Sequence, residues 1–196
     1  MIINIRGCNG AGKSTVPMQM MEADPEFEVV KLGVGKNGKP CAPAITVFHN
    51  LKWVALGTYF NKTGGMDTYG NNAETRQALE YVLENYPDYD VVMEGVIAST
   101  IKSTYANLFK SLEEQGHQVL IMAFLPPLKV CLERIQHRNG GKPIKEDLVE
   151  SKWYTVESGV AYFRNEGLTA LRIDTSKCSK ENMLKNFLKT VEKYRR

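Results

Sequence analysis

Residues 7–14 read Gly-Cys-Asn-Gly-Ala-Gly-Lys-Ser and fill every fixed position of the pattern G-x-x-x-x-G-K-[ST]. The context is as restrictive as the match, because a β-branched run at residues 2–6 precedes it and a stretch of helical propensity at 13–22 follows it. Strand, glycine-rich turn and helix in that order commit the chain to a phosphate-binding loop at the end of its first strand. The residue types supply the chemistry. Gly7, Gly10 and Gly12, with Asn9 and Ala11 between them, let backbone amides turn inward around phosphate oxygens at a helix amino terminus. Lys13 neutralises the β and γ phosphates of a bound triphosphate, Ser14 is the expected magnesium ligand, and Thr15 completes the loop where the helix begins.

Further along, strand-like and helix-like segments alternate. Pro17 falls in the first turn of the helix, where a missing amide hydrogen is tolerated, and Asp24-Pro25 stops it. A second strand is expected at 27–32. Between 33 and 70 glycine-rich turns separate strand-like 45–48 and 53–60, which reads as a small inserted β unit on the acceptor side. Asn72 is the expected cap of a helix running to 85, residues 90–94 form an apolar strand ending in an acid, and 103–115 is amphipathic. The run 119–124 is apolar without alternation, as suits a parallel strand covered on both faces. Helices at 128–137, 146–165 and 180–194 and a short strand at 171–173 complete the pattern, with a polar, lid-like loop at 138–146. The expectation is one domain over residues 1–196 with an α/β, doubly wound, mostly parallel sheet, helices on both faces, and ligands outside the carboxyl ends of the strands.

Composition removes competing classes. With 43% hydrophobic and 24% charged residues the chain is neither a disordered polymer nor a coiled coil. Its apolar runs, such as 119–125, fall far short of the roughly 20 residues of a membrane span, so a cytoplasmic protein with no membrane partner is expected. Cysteines at 8, 41, 131 and 178 and three histidines show neither zinc spacing nor a disulfide framework.

Three more groups carry candidate chemistry. Glu94 closes the 90–94 strand, where a carboxylate can organise magnesium or accept a proton from an attacking hydroxyl. Arg134 and Arg138 are four residues apart on one helical face beside the lid-like loop, placed to stabilise charge in phosphoryl transfer. Asp174-Thr175-Ser176, after the last strand, is a candidate border of the adenine. Between residues 31 and 73 there are five lysines (31, 36, 39, 52, 62) against one acid, Asp67, interleaved with Phe48, Trp53, Tyr59, Phe60 and Tyr69. Lysines for phosphates and rings for an unstacked base make that segment a candidate polynucleotide groove, and residues 177–196 add seven basic residues against two acids.

In this order of elements the sequence resembles the P-loop nucleotide kinases, and within them the thymidylate-kinase-like group. It departs from thymidylate kinases at Glu94-Gly95-Val96, where they carry Asp-Arg and an aromatic, and at Asn9, where their loop tends to carry an acid. The opening Ile3, Arg6, Gly7, Asn9, Gly10, Gly12, Lys13, Ser14 and Thr15 is similar to that of the phage kinases that phosphorylate 5-hydroxymethyldeoxyuridine already within DNA. The resemblance implies an ATP- and magnesium-dependent kinase acting on a hydroxyl of a pyrimidine acceptor, with the 5-hydroxymethyl group of a modified uracil in DNA leading a free nucleoside or monophosphate. A P-loop ATPase module is the rival from another class. A GTPase switch is disfavoured, because Asn61-Lys62-Thr63-Gly64 lacks the aspartate of a guanine-reading motif.

Overall fold

The computed structural model describes residues 1–34, 40–60 and 64–195. Within these residues seven strands form a single sheet in the order β2-β3-β4-β5-β1-β6-β7, where β1 is Ile2–Arg6, β2 Glu28–Val34, β3 Pro40–Phe48, β4 Trp53–Leu56, β5 Asp90–Glu94, β6 Val119–Phe124 and β7 Ala170–Ile173. β4, β5, β1, β6 and β7 run parallel to one another. The β2-β3 and β3-β4 pairs are antiparallel. Every residue of β1, β5 and β6 is buried, which is why those strands read as unbroken apolar runs.

Among the described residues seven α-helices cover the two faces: α1 Thr15–Ala23, α2 Asn72–Asn85, α3 Val96–Thr100, α4 Ser103–Glu114, α5 Leu128–Arg138, α6 Glu146–Asn165 and α7 Met183–Tyr194. One face is closed by Leu79 and Val82 of α2, Phe109 of α4 and Phe163 of α6, the other by Met20 of α1, Ile135 of α5 and Phe187 of α7. Each such side chain contributes about 1.5–3 kcal/mol on leaving water. Among the described residues no helix is long and apolar enough to cross a membrane.

The α/β doubly wound sheet is as expected, and four details differ. The segment expected as a separate insert is part of the main sheet: β3 and β4 form a hairpin, and β4 then pairs in parallel with β5. The strand expected at 53–60 ends at Leu56, because Gly57 takes a φ of 100° and its N–H turns back to the Ala44 carbonyl. Helix α2 is capped by Asn71 rather than Asn72, the Asn71 side-chain Oδ1 accepting from Ala73 N and Glu74 N. A turn of 3-10 helix at Lys180–Asn182 precedes α7, so the last helix starts at Met183.

Candidate functional site

The loop at residues 7–14 leaves β1 at the middle of the sheet, between β5 and β6, and delivers α1. Gly10 has a φ of 78°, and a Cβ there would stand 2.4 Å from the Cys131 carbonyl oxygen, so only glycine fits between loop and α5. Lys13 is 5% exposed, and its Nζ donates to the Cys8 carbonyl at 3.2 Å. Ser14 occupies the N-cap of α1 yet makes no cap hydrogen bond. Its Oγ donates instead to Glu94 Oε1, 3.1 Å away at the end of β5. A hydroxyl withdrawn from the cap it could serve is a local concession to the site.

Glu94 is 1% exposed. Burial raises its carboxyl pKa to about 7 against the pull of Lys13 and the Ser14 hydroxyl. Lys13 is shifted downward by the same desolvation, opposed by Glu94 and Asp67. A second acid therefore shares the site: Asp67, in the 3-10 turn Met66–Thr68, accepts from Val96 N at 2.7 Å and Ile97 N at 3.0 Å at the start of α3. Gly65 holds this turn against Glu94 with a φ of 63°, and a Cβ there would lie 2.3 Å from Glu94 Oε1.

Lys13, Ser14 and Asp67 line one cleft of about 480 Å³ at the carboxyl edge of the sheet, and Glu94 stands buried behind it, hydrogen-bonded to Ser14. Asn9, Gly10, Gly12, Lys13, Ser14 and Thr15 form its floor, Asp67 and Val96 one wall, and Arg134, Arg138 and Lys180 the other. Gly7 and Ala11 lie behind that floor, Gly7 donating its N–H to Ser99 Oγ and Ala11 being fully buried. The two arginines differ in role. Arg134 donates to the Gly10 carbonyl at 3.3 Å, to Thr175 Oγ1 at 3.2 Å and to the Thr175 carbonyl at 3.0 Å, so it fastens the loop to the turn after β7. Arg138, at the end of α5, is exposed and forms no ion pair within 4.0 Å among the described residues. Of the turn expected at the adenine, Thr175 is buried and donates to the Ala11 carbonyl, while Asp174 caps its own 3-10 turn by accepting from Ser176 N. Neither Asp174 nor Ser176 lines the cleft.

The lysine and aromatic segment does not form a groove of stacking rings. Phe48, Trp53 and Tyr59 are core residues at 0%, 5% and 6% exposure, and the Tyr69 hydroxyl donates to the Ala44 carbonyl. Phe60 alone of the five is open to solvent. Lys52 and Trp53 sit level with Asp90, at the opposite end of β5 from Glu94, because β4 and β5 are parallel with Trp53 beside Asp90. Lys36, Lys39 and Lys62 lie outside the described residues. Asp67 was the acid to find: it is the one carboxylate in a lysine-rich stretch, and only the fold brings it to Glu94. Cys8 and Cys131, 123 residues apart, are buried free thiols with their sulfurs 3.4 Å from each other.

Comparison with known proteins agrees with this architecture. The model of the family described as 5-hmdU DNA kinase matches residues 1–171. A 5-hmdU DNA kinase of Bacillus phage SP10 is 47% identical over 180 residues, covering 89% of this chain. One of Pseudomonas phage M6 is 38% identical over 161 residues, covering 79% of this chain and 80% of that protein. This chain spans 27% of the length of the SP10 relative. Among solved structures, the YorR protein of Bacillus subtilis, in complex with phosphorylated GDP, superposes with a TM-score of 0.55 at 13% identity, covering 98% of this chain and 96% of that one.

Proposed function

The chain belongs to the 5-hmdU DNA kinase family, and from that premise we propose that it transfers the γ-phosphoryl group of ATP to the 5-hydroxymethyl group of 5-hydroxymethyluracil carried in DNA. The observation that carries the reading is the convergence of Lys13, Ser14 and Asp67 on one cleft with Glu94 buried directly behind Ser14, the first two from the phosphate loop and the acids from two other segments. In the reaction the acceptor oxygen bonds to the γ-phosphorus as the bond to the β–γ bridging oxygen breaks, leaving ADP. Little covalent chemistry falls to the protein, so positioning and charge dominate. Lys13 leaves the Cys8 carbonyl for the β and γ phosphates, Arg138 reaches over them from the open wall, and Asp67 orients the acceptor hydroxyl and receives its proton.

Magnesium fits the donor set, since a hydroxyl and a carboxylate 3.1 Å apart are hard oxygen ligands. When bound it would neutralise charge between the β and γ phosphates, held by Ser14 and Glu94. Among the described residues no three His, Cys, Asp or Glu side chains gather as a metal cage, and magnesium, which keeps several waters, requires none.

Glu94 must be ionised to serve this role, and its carboxyl ionises near pH 7. With ATP below saturation, transfer is expected to rise about tenfold per pH unit up to about 7 and then level off. Glu94→Gln should lose that step, and a wild-type profile flat from pH 5.5 to 8 would count against the assignment. The stability sign is opposite: the folded protein holds this proton more tightly than the unfolded chain, so the contribution is full below about 4.5 and lost as pH rises towards 7.

The acceptor is tested by incubating the protein with γ-labelled ATP and three acceptors: a single-stranded oligonucleotide containing 5-hydroxymethyluracil, free 5-hydroxymethyldeoxyuridine, and dTMP. Label is expected on the oligonucleotide, with its KM rising with salt at a log-log slope of about 0.7 per phosphate contact. Efficient labelling of dTMP in preference to the oligonucleotide would place the enzyme among free-nucleotide kinases.

A further inference from the structure

Arg6 ends β1 immediately before the phosphate loop, on the sheet face covered by α3, α4 and α6, and it is 2% exposed. Among the described residues no carboxylate lies within 4.0 Å of it. A lone buried cation is expensive, and a well-packed apolar side chain of similar volume would be the more stable occupant. Burial does act on it, lowering its pKa to about 10.

What Arg6 holds explains why an apolar residue would not serve. Nη1 donates to Asn4 Oδ1 at 3.0 Å, and Nη2 converges on the carbonyls of Ala98, Ser99 and Ile101 at 2.8, 2.9 and 2.7 Å. The guanidinium also lies 4.6 Å from the Phe163 ring centroid on α6 and 5.6 Å from that of Tyr105 on α4. Those three carbonyls belong to the last turn of α3 and the residue after it, where a helix runs short of amide donors; of the three, the Ala98 carbonyl also accepts from Ile101 N at 3.3 Å. At its other end α3 donates the Val96 and Ile97 amides to Asp67. Between the two, Ser99 Oγ accepts from Gly7 N at 3.1 Å and donates to the Gly95 carbonyl at 2.5 Å. Five residues are too few for a helix to persist in water on its own propensity. Its place is set from outside, by Arg6 beneath and Asp67 above.

We infer that Arg6 is a positioning residue, fixing α3, and through it Asp67 and the turn after Glu94, at a set distance from the phosphate loop. Arg6 touches neither donor nor acceptor. It couples the wall that receives the acceptor to the floor that holds the triphosphate, and so governs how often acceptor hydroxyl and γ-phosphate meet in line. A misplacement of about 1 Å costs roughly 100-fold in such a reaction.

This inference rests on the kinase reading, and the test separates the two. Wild type, Arg6→Met, Arg6→Lys and Ser99→Ala are compared for transfer to the 5-hydroxymethyluracil oligonucleotide, for ATP hydrolysis without acceptor, for ATP affinity by calorimetry and for melting temperature. Arg6→Met is expected to bind and hydrolyse ATP as wild type does while transfer falls about 100-fold. Arg6→Lys keeps the charge but lacks the planar fork that serves several carbonyls, so its transfer stays low. Should both Arg6 variants fail to fold, Ser99→Ala decides, since it unties α3 from Gly7 without burying or deleting a charge: transfer down with hydrolysis intact is expected. Transfer and hydrolysis falling together, or transfer unchanged in a folded variant, overturns the inference alone. A wild type that hydrolyses ATP and labels no acceptor overturns the kinase reading and the inference with it.

Discussion

Lys13→Ala is expected to lower phosphoryl transfer by about 1,000-fold, the upper end of what a single preorganised donor contributes to a developing charge. The ammonium is buried at the floor of the cleft beside Glu94 and Asp67, whereas the exposed cations of the cleft, Arg138 and Lys180, belong to its wall. The folded state should survive. Desolvation is the largest influence on Lys13, and a neutral side chain removes that cost while forfeiting one hydrogen bond, to the Cys8 carbonyl. A second consequence checks the assignment: with Lys13 gone the group that holds Glu94 down is lost, and the Glu94 carboxyl should ionise above its value of about 7. Steady-state kinetics and a melting curve test both halves, and near wild-type turnover in a folded Lys13→Ala protein would remove the phosphate loop from the mechanism.

Glu94→Gln should reduce turnover at least about 100-fold while ATP affinity changes far less. The amide keeps the shape of the carboxylate and can still meet the Ser14 hydroxyl, but it carries no charge for magnesium. In the buried pocket, the neutral amide also relieves the desolvation that raises the carboxyl, so the variant should be at least as stable as wild type above pH 7. Titrating magnesium at fixed ATP separates this from a structural effect: the variant should need more metal to reach its own maximum. Equal losses in turnover and ATP affinity, with an unchanged magnesium requirement, would make Glu94 a structural acid.

The loop, its lysine and the strand-terminal Glu94 were legible in the sequence because each is local: glycines, Lys-Ser and an apolar run ending in an acid need no distant partner to be recognised. Other features were set by pairing across the sheet. The 33–70 segment looked like an insert because turn-rich, lysine-rich composition says nothing about which strand it joins, and the parallel pairing of Trp53 with Asp90 is a contact between residues 37 apart. The same pairing buried rings that composition alone made candidates for base stacking, and moved Lys52 to the far end of the sheet. Asp67 was hidden for the opposite reason, as one acid among lysines whose significance depends on two amide donors 29 and 30 residues away. Helix α3 escaped because five residues give no periodicity. Arg6, in a β-branched run, gave no sign that its neighbours would be carbonyls 92 to 95 residues distant.

The fastening at the base of α5 has a mechanical consequence. Gly10 abuts the Cys131 carbonyl, and Arg134 is bonded to both the Gly10 and Thr175 carbonyls. Thr175 in turn holds the carbonyl of Ala11. The helix is thus clamped like a beam at its root for as far as Arg134, one helical turn short of Arg138. Beyond Arg138 come Gly140 and Gly141, both with positive φ and both free of any atom within 4 Å of a would-be Cβ. The turn they form is tied back to the helix, Gly140 N donating to the His137 carbonyl and Gly141 N to the Gln136 carbonyl. Arg138, exposed and one turn past the clamp, can change its side-chain rotamer over the cleft without drawing on the bonds by which Arg134 holds the loop.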